Sequence, residues 1–199
     1  MKTRTLLASA FLALFASSAA LAEGFRLIPF VGYLNGGEIE DTVLDNENIE
    51  IESGVAYGLA AIVPLNDQLG LEILYNRQST EIAVPGLADR PGLDTDYLQV
   101  SALFSFRPGE AANPYFGLGL GATRLSPEGG NTDTWGAASL AFGVDFTLSD
   151  SFGVRLDGRY FGTRVDEDEP VACEPETCLI YGQSILQQWQ VSAGLVVRF

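Results

Sequence analysis

Two kinds of side chain in this 199-residue chain could do chemistry: one cysteine pair, and a set of charges embedded in apolar, alternating segments. Cys173 and Cys178 enclose Glu-Pro-Glu-Thr and are the only cysteines. With 0 His and no further thiol to complete a zinc site, a disulfide is the chemistry expected of them in an oxidising compartment. Closing so short a loop is worth at most roughly 2 kcal/mol. The second set is Arg26, Glu72, Asp145, Arg155, Asp157 and Arg159, which share parity with the small and polar side of their segments. If that side faces inward, the cost of desolvation obliges these charges to pair, and a luminal polar network of arginines clamping carboxylates is expected. The run Gly117-Leu118-Gly119-Leu120-Gly121 lacks the spacing of a nucleotide-binding loop. Glycine at every second residue instead bares one strand face, leaving room for Arg or Tyr from neighbouring strands.

Acidity is concentrated in two stretches. The first holds Glu38, Glu40, Asp41, Asp45, Glu47, Glu50 and Glu52; the second holds Asp166, Glu167, Asp168, Glu169, Glu174 and Glu176. Weak, nonspecific accumulation of divalent cations is expected there, because carboxylate oxygens suit Ca²⁺ and Mg²⁺ while the spacing matches no calcium loop. No discrete metal site and no cofactor follow. A formal net charge of -15 excludes nucleic acid as a partner, since phosphates would be repelled.

The elements that position these residues begin after a leader. Lys2 and Arg4 precede the apolar run Leu6 to Phe15, and Ala20-Leu21-Ala22 offers small residues for cleavage between Ala22 and Glu23. Residues 1–22 are therefore expected to be a signal peptide and 23–199 a single domain. No later stretch reaches the about 20 apolar residues of a spanning helix, so entry into a membrane would require strands closed on themselves.

From Glu23 onward the dominant period is two. In the last segment Trp189, Val191, Ala193, Leu195, Val197 and Phe199 share one face, and Gln188, Gln190, Ser192, Gly194, Val196 and Arg198 the other. The same split predicts strands over Phe25 to Leu34, Gly54 to Leu65, Leu69 to Glu81, Asp96 to Arg107, Tyr115 to Thr123, Trp135 to Leu148 and Phe152 to Val165. Short connections, Asn66 to Gln68, Pro108 to Pro114 and Ser149 to Ser151, are rich in turn residues; those at the other end are long. The expected fold is all-β: an eight-stranded antiparallel up-and-down transmembrane β-barrel with short periplasmic turns and long extracellular loops. A soluble lipocalin-like carrier has the same period with its apolar face inside. The second face decides against it, being largely Gly, Ala, Ser, Gln and Tyr rather than Lys and Glu. Ile49, Ile51 and Val55 alternate with Glu50 and Glu52, which fits either a second strand extended past the membrane or a mobile loop.

Leu195-Val196-Val197-Arg198-Phe199, an alternating strand ending in an aromatic, resembles the terminal signal of outer-membrane barrels. With the leader and the strand count, residues 23–199 resemble the small outer-membrane β-barrel family of the OmpA transmembrane domain, OmpX and OmpW type, without a periplasmic OmpA-like domain. The resemblance implies a monomer in the Gram-negative outer membrane, in contact with its lipids and lipopolysaccharide. It further implies that Phe199 is read by the barrel-assembly machinery during insertion. Enzymes on this scaffold, among them lipid A palmitoyltransferases, lipid A deacylases, omptin proteases and outer-membrane phospholipase, rely on a histidine that this chain lacks, so no catalytic residue is expected. The expected role is non-enzymatic, structural or in surface interaction through the acidic loops. The alternative is a narrow channel for small or hydrophobic solutes. Phe104, Phe106, Phe116, Phe146, Phe152 and Phe199 towards the short turns, and Tyr33, Tyr57, Tyr75, Tyr160 and Trp189 higher up, would form the interfacial girdles.

Overall fold

Alternation becomes pairing in the computed structural model, which describes residues 24–39, 49–83, 91–130, 132–165, 172–174, 177–179 and 184–199. Eight long strands make the barrel: β1 (Arg26–Leu34), β2 (Gly54–Pro64), β3 (Leu69–Ala83), β4 (Gly92–Ser105), β5 (Ala112–Pro127), β6 (Asp133–Thr147), β7 (Phe152–Val165) and β8 (Ser184–Arg198). Each pairs antiparallel with its neighbours in the chain, and β1 pairs with β8 to close the ring. The staves are tilted. Tracing the ladders from Arg26 through Ile62, Glu72, Ser101, Gly119, Ser139 and Phe161 to Gln188 arrives past Leu34, at the far end of β1. Tilt is why residues far apart in register meet at one level inside.

Outward positions carry the bulky apolar side chains. Leu120 is 73% exposed, Phe142 63% and Val191 58%, a surface that water would not tolerate and hydrocarbon requires. The lower aromatics face outward, with Phe104, Phe116 and Phe142 in one cross-strand row and Phe106, Phe146, Phe152 and Phe199 nearer the turns. Tyr33, Tyr57, Tyr75, Tyr160 and Trp189 also face outward, nearer the loops. The inner face is less polar than its glycine and glutamine content suggests. Ile28, Leu34, Ile62, Leu74, Phe161, Leu186 and Val196 are buried there as an apolar core. A tube this narrow holds side chains rather than a water column, so aliphatics cost nothing inside it.

Turn chemistry sets the short end. Asn66 Oδ1 accepts from the amides of Gln68 and Leu69, both at 2.9 Å, and Ser149 Oγ accepts from the Phe152 amide at 3.1 Å. The connection expected over Pro108 to Pro114 is shorter, because β5 begins at Ala112: the Arg107 amide bonds Asn113 Oδ1 at 3.1 Å and pulls the strand start inward. At the loop end, Ile49–Ile51 is neither a continuation of β2 nor without structure. It forms a separate short strand between Glu38–Ile39 and the Ile82–Ala83 end of β3, extending the sheet beyond the barrel.

Candidate functional site in the barrel lumen

Strands β1, β3, β6 and β7 each project charge inward, and tilt brings those charges to one level. Arg155 binds Asp145 through Nε at 2.6 Å and Nη2 at 2.7 Å, a two-pronged contact across the β6–β7 ladder where the two residues are register partners. Its Nη1 reaches Glu72 at 3.1 Å. Arg159 donates to the other Glu72 oxygen at 2.8 Å and to Asp157 at 3.3 Å. Arg26 covers the turn-side end, 3.0 Å from Asp145. All six residues singled out by parity therefore meet, three cations against three carboxylates with no net charge.

Glu72 decides what the arrangement can do. It sits on β3, and Arg155 and Arg159 on β7, four staves away in a ring of eight, so these ion pairs cross the full diameter. Glu72 is 0% exposed, and the void beside it, about 10 Å³, has room for about one water. Arg159 Nη1, which has no partner among the described residues, lines that void by residue.

A second brace stands nearer the loops and was not visible in the charge pattern. Tyr97 of β4 donates its hydroxyl to Gln188 of β8, again on opposite staves, while its ring stacks on Phe161 with centroids 4.1 Å apart. The Gln188 amide continues to the Gly36 carbonyl at 2.6 Å. Asn76 to Gln190 at 2.7 Å, Thr123 to Thr163 at 2.8 Å and Ser139 to Gln99 at 3.3 Å fill the levels between and around. Tyr115 joins the charge network, donating to Asp157 under the Arg155 guanidinium, which lies 4.2 Å from its ring centre. Parity already sets Gln188 and Gln190 on the polar face of their segment; which residues they meet across the bore follows from tilt and register rather than from residue type.

The glycines of β5 make room, but not for Arg or Tyr as expected. A Cβ at Gly119 would lie 2.4 Å from Ser139 Oγ and 2.5 Å from Ser101 Oγ, and one at Gly117 2.5 Å from Leu103 Cδ2. Tyr115 instead uses the space left by Gly143, where a Cβ would stand 2.6 Å from its hydroxyl. Short neighbours close the wall at Gly119 because Ser101 and Ser139 are its ladder partners.

Other expected sites are placed less fully. Phe199 ends β8 on the outer face, its amide bonded to the Phe25 carbonyl at 3.0 Å and its ring 5.9 Å from that of Phe25. At the turn end Arg107 lies exposed, while Arg198 is half-buried and donates to the Ser149 carbonyl at 3.1 Å. The backbone sets Cys173 directly opposite Cys178 in a short antiparallel pair, Ala172–Glu174 with Thr177–Leu179; their side chains lie outside the described ones. Ala22, Glu23 and most of the acidic loop residues, from Glu40 to Glu47 and from Asp166 to Glu169, lie outside the described residues.

The sequence profile of the outer membrane protein beta-barrel domain matches residues 7–199. The chain belongs to that family. Its place is the outer membrane, and the soluble carrier is thereby set aside. Among solved structures of this barrel family, Neisserial surface protein A is similar at a TM-score of 0.59 and 16% identity, covering 88% of this chain and 97% of that one. AlkL in lipid bilayers reaches 0.63 at 14% identity, covering 89% and 91%. Outer membrane protein W of E. coli reaches 0.50 at 16%, covering 89% and 98%. Identities this low speak for the fold alone. Among curated proteins none matches significantly in sequence.

Proposed function

We propose that this outer-membrane barrel is a closed, non-catalytic structural element of the envelope that presents its acidic loops at the cell surface. One observation carries the reading: Glu72 is bonded to Arg155 and Arg159 across the whole bore, in a network whose charges cancel. A conduit for solutes would need that diameter free, and an ion path would gain from an unbalanced charge rather than a neutral one. The Tyr97–Gln188 brace blocks a second level. At the loop end, a Cys173–Cys178 crosslink would pin the last loop, and the carboxylates around it would gather divalent cations weakly. Residues 1–22 would serve as the export signal.

Planar-bilayer recording of the purified, folded chain tests this. The expected trace is flat, without steady conductance, for the native protein. A steady current through the native barrel that Glu72→Gln alters would overturn the closed reading.

A further inference from the structure

The two ends of the lumen differ. At the loop end the inward positions are apolar: Leu34, Leu93, Leu125, Val165 and Leu186, with Ile51 of the short strand, are all buried. Beneath them stand the Tyr97 brace and the ion network, so that side offers solutes no way to the charges. The turn end is open. A vestibule of about 830 Å³ leads in past Asn66, Ser105 and Asn113 to Arg26, Asp145, Thr147 and Arg198. Short turns of outer-membrane barrels face the periplasm.

Charge at the inner end of that vestibule does not balance. Arg198 is the register partner of Arg26 on the β1–β8 seam, and like charges directly opposite on neighbouring strands repel. Arg26 has Asp145 at 3.0 Å, and its side chain is still 18% exposed. Arg198 is half-buried and has no carboxylate among the described residues. Its guanidinium donates only to neutral oxygens, the Ser149 and Phe152 carbonyls at 3.1 and 3.2 Å and Thr147 Oγ1 at 3.0 Å. Those bonds fix where the group points and leave its charge uncompensated. With Arg198 counted, the guanidiniums of Arg26, Arg155, Arg159 and Arg198 stand against the three carboxylates of Glu72, Asp145 and Asp157, one cation in surplus. Asp67 and Asp150 also line the vestibule, but on exposed turns where water and salt screen them. Glu110 is taken by Arg107 at 3.4 Å. Gly70 keeps the approach to Arg26 open, since a Cβ there would stand 3.7 Å from Arg26 Nη2.

We propose that the turn-end vestibule binds one water-borne phosphate group between Arg26 and Arg198. Guanidinium forks match the oxygens of phosphate. A tetrahedral anion offers oxygens in more than one plane, as two arginines on different strands require, and the single surplus charge calls for one anion. The ligand ties β1 to β8 where the two arginines would otherwise repel, and Arg198 carries that tie to the β6–β7 turn through Ser149 and Phe152. Binding and closure are therefore linked: an anion held only by the closed barrel stabilises it by mass action.

Isothermal titration calorimetry of the folded chain in uncharged detergent micelles, with inorganic phosphate injected into chloride buffer at constant ionic strength, reads the site. The expected result is one phosphate per barrel, bound about tenfold more weakly by Arg198→Gln. Thr147→Asp sets a carboxylate where the hydroxyl now accepts from Arg198, and should weaken phosphate as much with both arginines in place. Thr147→Ser, and Arg77→Gln on the outer face, should leave it unchanged. Heat-modifiable gel mobility confirms that each variant is folded; should Arg198→Gln not fold, Thr147→Asp decides alone. Urea titration in vesicles gives the linked readout: millimolar phosphate raises the unfolding midpoint of the native barrel and not that of Arg198→Gln. Glycerol phosphate in place of the inorganic ion separates the sources of the group. Equal affinity admits a phosphate ester, and failure of the ester to bind restricts the site to the free ion. Absence of saturable heat, a stoichiometry well above one, or equal affinity in the native chain and the folded variants Arg198→Gln and Thr147→Asp would overturn the proposal.

Discussion

Glu72 shows how far one side chain can determine the state of the whole interior. Its two oxygens are divided between Arg155 and Arg159, and the side chain is 0% exposed to bulk solvent. Removing one partner of a buried pair leaves the others charged and under-bonded, which costs about 3–5 kcal/mol. Glu72→Gln should therefore lower the unfolding free energy by that amount, measured by urea titration of the barrel in lipid vesicles. Replacing Glu72, Asp157, Arg155 and Arg159 together by Leu and Met should cost far less, because two cations leave with two carboxylates, Arg26 stays paired with Asp145, and the desolvation penalty of the removed ions disappears with them. A single variant as stable as the native chain would show that Asp145 and Asp157 alone satisfy the arginines. The charges themselves were legible from the sequence because an ionised side chain on the small-residue face of a barrel strand has nowhere to go but inward. The bonds of Tyr97, Tyr115 and Gln188 were not: parity sets Gln188 on the small and polar face, but which side chain it meets across the bore follows from tilt and register, which no single segment contains.

Strand geometry decides which glycines matter. Gly58 on β2 faces the lumen, and a Cβ there would lie 2.1 Å from the Tyr75 carbonyl oxygen and 2.5 Å from Phe30 Cζ, the first of which is backbone and cannot step aside. Gly162 on β7 faces lipid, and its nearest atoms to a new Cβ are at 3.8 and 4.0 Å. Gly58→Ala should therefore destabilise by about 1–3 kcal/mol through overpacking, while Gly162→Ala should stay within about 0.5 kcal/mol; paired urea titrations in vesicles check both. Equal effects would mean that the wall at Gly58 relaxes. Period and turn residues sufficed to read the strand pattern, because two-faced strands and Asn- or Ser-closed turns are local properties. What was not local was not legible. Ile49–Ile51 becomes a strand of its own because β3 runs on to Ala83 and offers it an edge, and Gly119 is closed by Ser101 and Ser139 because of register, which no single segment contains.

Closure of the whole molecule runs through one seam, and its last residue sits at that seam's edge. The β1–β8 ladder joins the two ends of the barrel, and Phe199 fastens its lower edge: its amide donates to Phe25, its carbonyl accepts from Gly24 at 3.2 Å, and its ring rests near that of Phe25. Both bonds use backbone, so they survive a change of side chain, and the ring itself is 64% exposed on the outer surface. Phe199→Ser should then alter the stability of the finished barrel by no more than about 0.5 kcal/mol, as exposed substitutions usually do. If Phe199 is what the barrel-assembly machinery reads, the same substitution should slow insertion in cells several-fold, seen as loss of the heat-modifiable, folded band. Spontaneous folding of the two proteins from urea into vesicles would proceed at equal rates. Equal slowing in both settings would place the effect in closure of the β1–β8 seam and remove the recognition role from Phe199.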